Sequence, residues 1–311
     1  MLLASASGFE TRIAFVGDRS KMFFDPNLPN MTNENLVHPG AIAVKVENKW
    51  KYFDPGVRFL PYGMLTWYEE DAWALLIGEK DYKWEKTPFS GYESSVTKRE
   101  GRFTLLEDGT LEGDVKLELK GQQALTYRME NYDEAAPKLQ DNLTQEVKQQ
   151  ISVAEVSNVS IENLTDVSKP MVQKYKVHVP NYAQKTGKRL FLQPSFFEYG
   201  SSPLFSSSAR QYDIFFRYPW SEIDDIEIKL PAGYVLDNAE APATVADPQN
   251  IGSLDIHIAL DKASNILVID RKFHFGGGGN VLFSSGVYKP LKNMFDMFNK
   301  TDAHTITLKQ K

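Results

Sequence analysis

Alternating apolar and polar positions dominate the chain after residue 92, and they predict a series of β-strands. Turn residues such as Glu107-Asp108-Gly109 separate the runs. The predicted strands are residues 94–106, 111–119, 153–161, 172–179, 189–192, 212–218, 225–229, 254–260, 266–275 and 304–309. Many short strands with short connections favour an antiparallel β-sandwich-like domain.

Two segments of this region follow a helical pattern instead. Leu139, Leu143 and Val147 recur at four-residue spacing and predict one apolar stripe on a helix over residues 135–150. A second helix is predicted over residues 285–299, where Pro290 stands early enough to occupy the first turn. We therefore expect a mostly β fold with two helices in residues 92–311.

A β-hairpin is predicted near the start of the chain. Two alternating segments, residues 40–47 and 50–53, flank the polar tip Glu47-Asn48-Lys49. If the strands pair across that tip, His38 and Asp54 come close together. A carboxylate beside an imidazole is the arrangement that orients the base of a Cys-His-Asp or Ser-His-Asp site.

The stretch around this hairpin resembles the second half of a bacterial transglutaminase-like (papain-like) core. A histidine opens a strand, Tyr-Phe-Asp-Pro closes the hairpin, and Leu-Pro-Tyr-Gly-Met-Leu follows. The resemblance matches His38 and Asp54 to the family's catalytic histidine and aspartate. It also makes residues 2–15 the end of the cysteine-bearing helix and the next strand, which places the nucleophilic cysteine before Leu2.

The later part of the chain extends the resemblance with less specific motifs. A Lys-Leu-Pro-Ala-Gly-Tyr turn and a late Tyr-Lys-Pro-Leu-Lys-Asn-Met-Phe helix are similar to the β-rich domain that follows such cores in secreted proteins of the Bacteroidetes type. The resemblance therefore implies three parts. They are a partial core at residues 1–58, an aromatic-rich crossover at 59–91 and a β-rich domain at 92–311.

One departure from the family is decisive for the chemistry, because the chain contains no cysteine. The dyad of His38 and Asp54 cannot form a covalent acyl-enzyme without a thiol. Ser5 and Ser7 lie in the predicted helix end rather than near the start of that helix, and no Gly-x-Ser-x-Gly motif is present. A serine hydrolase is therefore not expected.

Composition and net charge argue against several classes of function. A hydrophobic content of 42% and a charged content of 24% are typical of a globular protein. The net charge of −6, without a dense basic tract, argues against a nucleic-acid partner. We expect no membrane span, no signal peptide in this sequence, no cofactor and no metal site. Export to the periplasm or beyond is implied by the resemblance alone.

The remaining histidines, acidic residues and tryptophans are predicted to have structural rather than ligand-binding roles. The histidines after residue 100 occur singly, without the spacing of metal ligands. The acidic run of residues 222–225 predicts a solvated turn. The crossover contains Trp67, Trp73 and Trp84, which favour packing at an interface over a carbohydrate-binding platform.

Three functional hypotheses follow. The first is a non-catalytic structural or interaction portion of a transglutaminase-like protein. The alternative is a fragment of an active thiol peptidase, amidase or transglutaminase whose cysteine lies upstream, and a weaker alternative is a carbohydrate-binding module.

The expected partners are a protein or peptide, the missing half of the core, or a second copy of the chain. If the core is incomplete, Ile42, Val44, Val46 or Tyr52 would be exposed unless the hairpin packs on another surface.

Overall fold

The computed structural model describes residues 1–28, 36–238 and 240–311. Within these residues the fold is mostly β, with four α-helices and four short 3-10 helices. The α-helices are α1 (Leu2–Ala6), α2 (Gln122–Asn131), α3 (Ala136–Gln150) and α4 (Tyr288–Asp302). The 3-10 helices are Tyr92–Ser94, Phe196–Glu198, Gly277–Gly279 and Ser285–Val287. In the described part of the chain no helix combines the length and the apolar character needed to cross a bilayer.

A five-stranded antiparallel sheet, the small sheet, occupies the N-terminal third. In chain order its strands are β1 (Thr11–Gly17), β2 (Val37–Val46), β3 (Lys49–Phe53), β4 (Trp73–Ile77) and β5 (Tyr82–Lys86). Their spatial order is β3-β2-β1-β4-β5. The predicted hairpin is present as β2 and β3. Its tip residues Glu47 and Asn48 both adopt positive φ, +49° and +63°, which is the geometry of a two-residue type I′ turn.

The small sheet includes strands from two of the three predicted parts. Strands β4 and β5 lie in residues 59–91, which the sequence indicated only as a crossover. Both strands are five residues long and are flanked by turns, so each is too short to show a clear alternation of apolar and polar residues. The sheet that begins in residues 1–58 is therefore completed by the crossover segment.

One face of the small sheet encloses an apolar cluster. Its members are Ala14, Val16, Ala41, Ala43, Tyr52, Leu65, Ala72, Ala74 and Leu76. Tyr52 is 4% exposed and Val44 is 9% exposed, while Ile42 and Val46 are half-buried. Val44 and Tyr52 are therefore not exposed, and Leu65 and Ala72 of the crossover pack in the same cluster as Tyr52.

The large sheet has eight strands and forms the centre of the molecule. In spatial order they are β15 (Val245–Ala246), β16 (Gly252–Asp261), β17 (Ile266–Phe275), β13 (Trp220–Lys229), β6 (Val96–Leu105), β7 (Leu111–Leu119), β9 (Met171–Val179) and β8 (Glu155–Glu162). All neighbours are antiparallel except β6 and β13, which pair in parallel at the middle of the sheet. The expectation of a purely antiparallel sheet is corrected at this one position.

A second layer covers the inner face of the large sheet. It contains a four-stranded sheet of β10 (Gln184–Thr186), β11 (Arg189–Leu192), β19 (Ile306–Gln310) and β14 (Tyr234–Asn238), and a pair, β12 (Ile214–Phe215) with β18 (Leu282–Phe283). Helices α3 and α4 contribute Leu143 and Phe295 to the same core. The two predicted helices are both present, and only two residues of the predicted strand 212–218 are extended.

Helix α2 was not predicted from the sequence. Its buried residues are Gln122, Ala124, Leu125 and Arg128, so two of the four are polar. A helix is predicted from a stripe of apolar residues at helical spacing. The buried face of α2 is half polar and therefore shows no such stripe.

The two cores meet at a junction of aromatic side chains around Arg19. The Arg19 Nη2 donates to the carbonyl oxygen of Trp67 at 2.5 Å and to that of Arg217 at 3.4 Å. The ring of Phe215 contacts the rings of Phe23 and Trp67, with centroids 5.0 and 6.1 Å apart. Trp67 thus packs at an interface between the small sheet and β12.

Candidate functional site

A β-bulge positions His38 on the inner face of the small sheet. Strand β1 pairs Ala14 with Ala41, but its next residue, Phe15, pairs with Pro39, so Gly40 is an extra residue. As a result His38 pairs with Val16, on the same face as Ala14 and Ala41. Without the bulge, the imidazole would point to the other side of the sheet.

Glycine is required at the bulge because the site approaches the backbone closely. A Cβ atom on Gly40 would lie 2.6 Å from Glu69 Oε1 and 2.9 Å from His38 Nε2. Any other residue would force these two side chains to move. The close packing explains how a residue of the crossover, Glu69, reaches the histidine.

Glu69 is a fully buried carboxyl group next to the half-exposed imidazole. Its side chain is 0% exposed, and its Oε1 lies 3.9 Å from His38 Nε2. The Thr66 hydroxyl donates to Glu69 Oε2 at 2.6 Å. Glu69 Oε1 has no hydrogen-bond partner in the structure. The crossover therefore holds one carboxylate oxygen with a hydrogen bond and leaves the other facing the imidazole.

Asp54 reaches the same cluster from the end of β3. Ile42 pairs with Phe53, so Asp54 is level with Ala41 rather than with His38. Within the described chain the ion pair of His38 is with Glu69 and not with Asp54. Asp54 nevertheless influences the same carboxyl group, because its negative charge raises the pKa of Glu69. Asp54 Oδ1 also accepts the backbone N–H of Gly56 at 2.7 Å, as in an ordinary Asp-Pro-Gly turn.

The environment of Glu69 favours its neutral form. Burial raises the pKa of Glu69 to about 7, and the negative charge of Asp54 acts in the same direction. The hydrogen bond from Thr66 opposes both effects. A carboxyl group that titrates near neutrality beside an imidazole is the kind of perturbed group found at acid–base sites, although buried structural pairs also produce it.

The sequence contained one signal for Glu69. Thr66 and Glu69 stand three residues apart, the spacing of a capping box, and this spacing indicates that the two side chains can interact. Nothing in the sequence placed that pair beside His38, since the contact depends on the bulge at Gly40 and on the path of the crossover.

A second buried carboxyl group follows directly. Glu70 is 2% exposed and accepts a hydrogen bond from the Ser90 hydroxyl at 2.5 Å, while its Oε2 has no partner. Burial raises the pKa of Glu70, and the positive charge of Arg19 opposes that rise. Glu70 lines a cavity of about 230 Å³ together with Trp50, Tyr52 and Tyr62.

The acidic run at residues 222–225 is not the solvated turn that the sequence indicated. Glu222 and Asp224 lie within β13 on the inner face of the large sheet. Arg99 Nε and Nη2 donate to the two oxygens of Asp224 at 2.6 and 2.9 Å. Glu222 Oε2 accepts from Arg99 at 3.2 Å and from Arg271 at 2.9 Å. These charges hold neighbouring strands together inside the core.

No metal site is found among residues 1–28, 36–238 and 240–311, which contain no group of three histidine, aspartate or glutamate side chains suited to a metal ion.

The tryptophans considered for a carbohydrate-binding platform pack against different parts of the molecule. Trp67 packs at the junction with Phe215, and Trp84 packs on Phe24 at 5.4 Å. A carbohydrate-binding role remains a prediction.

Comparison with known proteins finds a family model that matches the later part of the chain. A family model described as "Domain of Unknown Function with solved-structure structure (DUF3858)" matches residues 188–308. None of the curated proteins matches the chain. A crystal structure of a "putative protease" from Parabacteroides distasonis ATCC 8503 is similar over 98% of this chain, with a TM-score of 0.45 and 10% sequence identity. This chain spans 41% of that protein's length. The region from β11 to β19 is thus similar to the DUF3858 domain.

Proposed function

We propose that this chain supplies the acid–base part of a thiol-dependent peptidase or amidase site, together with the β-rich domain that supports it. The observation that carries the proposal is the arrangement of His38, Glu69 and Asp54 at the bulge of β2. In this proposal the chain alone has a structural and interaction role, because it contains no cysteine.

The proposed reaction begins with proton transfer from a cysteine thiol to the His38 imidazole. The thiolate attacks the carbonyl carbon of an amide, and the imidazolium then donates its proton to the leaving nitrogen. Water attacks the resulting thioester with His38 again as the base, which releases the acid and restores the thiol. The carboxyl groups of Glu69 and Asp54, when they carry negative charge, stabilise the imidazolium that forms between these steps.

The nucleophile in this proposal belongs to another segment or another polypeptide. The imidazole is suitably placed to accept its proton, since the His38 side chain remains 42% exposed while its carboxylate neighbour is fully buried. A thiol approaching from solvent would meet the exposed side of the imidazole.

The test uses the protein that contains this sequence, purified from its natural source through a C-terminal affinity tag. Its intact mass is measured, and its hydrolysis of a fluorogenic peptide amide is followed before and after thiol alkylation. We expect a mass well above 35.3 kDa and activity that alkylation abolishes. His38→Ala should lower kcat/KM by about a hundredfold or more.

His257→Ala is the matched control, because His257 also pairs with a carboxylate, Asp255 at 2.8 Å, but on the exposed side of β16. This variant should retain full activity. A mass near 35.3 kDa without alkylation-sensitive activity, or equal rates for the two histidine variants, would contradict the proposal and leave only the structural or interaction role.

A further inference from the structure

Within the described residues, Arg128 is a buried guanidinium that makes no ion-pair contact with a carboxylate, although the charge of Asp166 acts on it from a greater distance. It is 2% exposed and is among the largest fully buried side chains. Its Nη2 donates to the carbonyl oxygens of Asn163, Asp166 and Lys169 at 3.2, 2.9 and 2.8 Å. Its Nε has no acceptor. These contacts fix the group in place but do not neutralise its charge, and an uncompensated buried charge is costly.

The same side chain lines a cavity of about 410 Å³. The cavity lies where the crossover, the end of β7, the start of α2 and the loop after Asn163 meet. Its charged lining residues are Lys120, Arg128 and Lys169, and no carboxylate is among its lining residues. The chain as a whole carries a net charge of −6, whereas the lining of this cavity carries three cations.

The carboxylates near the cavity already form ion pairs with lysines, and these pairs do not include Arg128 or Lys120. Asp166 pairs with Lys169 at 3.2 Å, and both side chains are largely exposed. Glu118 pairs with Lys116 at 2.6 Å. Lys120 has no ion pair in the described part of the chain.

The start of α2 adds a second source of positive potential. Gly121 precedes the helix with φ +68° and has no side chain to cap it, while the Ser95 hydroxyl oxygen accepts the first helical N–H, that of Gln122, at 3.1 Å. A Cβ atom on Gly121 would lie 2.1 Å from the carbonyl oxygen of Ser94, so only glycine allows this close approach. Arg128 follows Gly121 by seven residues, or two helical turns, and therefore lies on the same face of α2.

We propose that this cavity binds an oxyanion, the carboxylate or phosphate group of a small ligand. The oxyanion would be attracted by the charges of Arg128, Lys120 and Lys169 and by the N-terminus of α2. Pro61, Tyr62 and Val167 also line the cavity and give the rest of the ligand an apolar contact surface. This site is separate from the cluster at His38 and does not depend on the proposed thiol chemistry.

The test is a titration of the full 311-residue chain at constant ionic strength with inorganic phosphate, N-acetylalanine and the neutral N-acetylalaninamide. Calorimetry gives the affinity, and arginine-selective NMR follows the Arg128 Nε–H signal, identified by its loss in Arg128→Lys. We expect saturable millimolar binding of at least one anion, no binding of the amide, and a shifted Arg128 signal. Tighter phosphate binding would indicate a phosphate ligand, and tighter N-acetylalanine binding a carboxylate.

Two lysine variants give the matched comparison. Lys120→Ala should weaken anion binding by about fivefold or more, equivalent to roughly 1 kcal/mol. Lys289→Ala should not change it, although Lys289 also lies in the first turn of a helix, α4. Both lysines are exposed, so folding is preserved. Absence of saturable binding, an unmoved Arg128 signal, or equal affinities for the two variants would overturn the proposal.

Discussion

At the scale of single residues, the protonation of Glu69 connects the candidate site to stability. The pKa of Glu69 is raised to about 7 in the folded chain from an ordinary value of 4.5. The folded state therefore keeps this proton at pH values where the unfolded chain has lost it. The free energy of unfolding should fall as the pH rises from about 4.5 to about 7.

Glu69→Gln should remove this contribution. With the carboxyl group replaced by an amide, the difference in unfolding free energy between pH 5 and pH 8 should shrink by an amount on the order of 3 kcal/mol. Urea denaturation at the two pH values measures it. Glu155→Gln, at an exposed position of β8, should leave the difference unchanged, and a full pH dependence in Glu69→Gln would refute the assignment.

The residues of the site differ in how far the sequence predicted them. His38 and Asp54 were recognised from the hairpin and the resemblance, because both stand at strand ends. Glu69 was missed because its role depends on the bulge at Gly40, and a bulge moves a side chain to the other face without any change in composition. The local sequence indicates which residues are chemically suitable. The pairing of the strands in the folded sheet determines which of these residues lie next to one another.

At the scale of elements, buried charges explain why the start of one strand was predicted wrongly. Strand β13 begins at Trp220, whereas the sequence predicted a strand from residue 225. Glu222 and Asp224 occupy core positions and interrupt the apolar alternation. Their partners, Arg99 and Arg271, lie on the neighbouring strands β6 and β17. Only the assembled sheet brings these opposite charges together.

The ion pair at the end of α4 should contribute strongly to stability. Arg271 donates from Nε and Nη2 to the two oxygens of Asp302 at 2.7 and 2.9 Å, and both side chains are buried. Asp302→Asn should lower the free energy of unfolding by about 3 kcal/mol, because it leaves buried positive charge less compensated. Chemical denaturation measures the loss.

Asp296→Asn provides the control on the same helix. Asp296 pairs with Lys292 four residues earlier, at 2.9 Å and at a more exposed position. Its replacement should cost about 0.5 kcal/mol or less. Equal losses for the two aspartates would show that burial does not set the strength of the Arg271 pair.

The hairpin tip offers a stabilising change. Glu47 and Asn48 both adopt positive φ, which favours asparagine and glycine in a type I′ turn. Replacing them through Glu47→Asn and Asn48→Gly should raise the free energy of unfolding by about 1 kcal/mol. Glu47→Gly alone, which gives the reverse order Gly-Asn, serves as the comparison, and a loss of stability in the Asn-Gly variant would contradict the turn assignment.

At the scale of the whole molecule, the chain forms two separate apolar cores. The small-sheet cluster and the main core share no residues. Phe215 spans the junction through its contacts with Phe23, Trp67 and Arg19. We expect the two separate cores to unfold in distinguishable steps.

Phe215→Ala should separate these steps. We expect calorimetry to show a lower-temperature transition, from the small sheet, that moves down by about 5 °C, while the main transition changes little. Tyr212→Ala, at an aromatic residue that is 82% exposed, should shift neither transition. A single transition that moves as one in the Phe215 variant would indicate that the two cores unfold together.

The parallel pairing of β6 and β13 has a consequence for the growing chain on the ribosome. Strand β6 is synthesised early, but its partner on one side leaves the ribosomal tunnel only after β7 to β12 have been made. Until then that edge of β6 presents unpaired N–H and C=O groups. A nascent polypeptide released before Trp220 would carry this open edge into the cell, where chaperones or a second truncated polypeptide could occupy the place of β13.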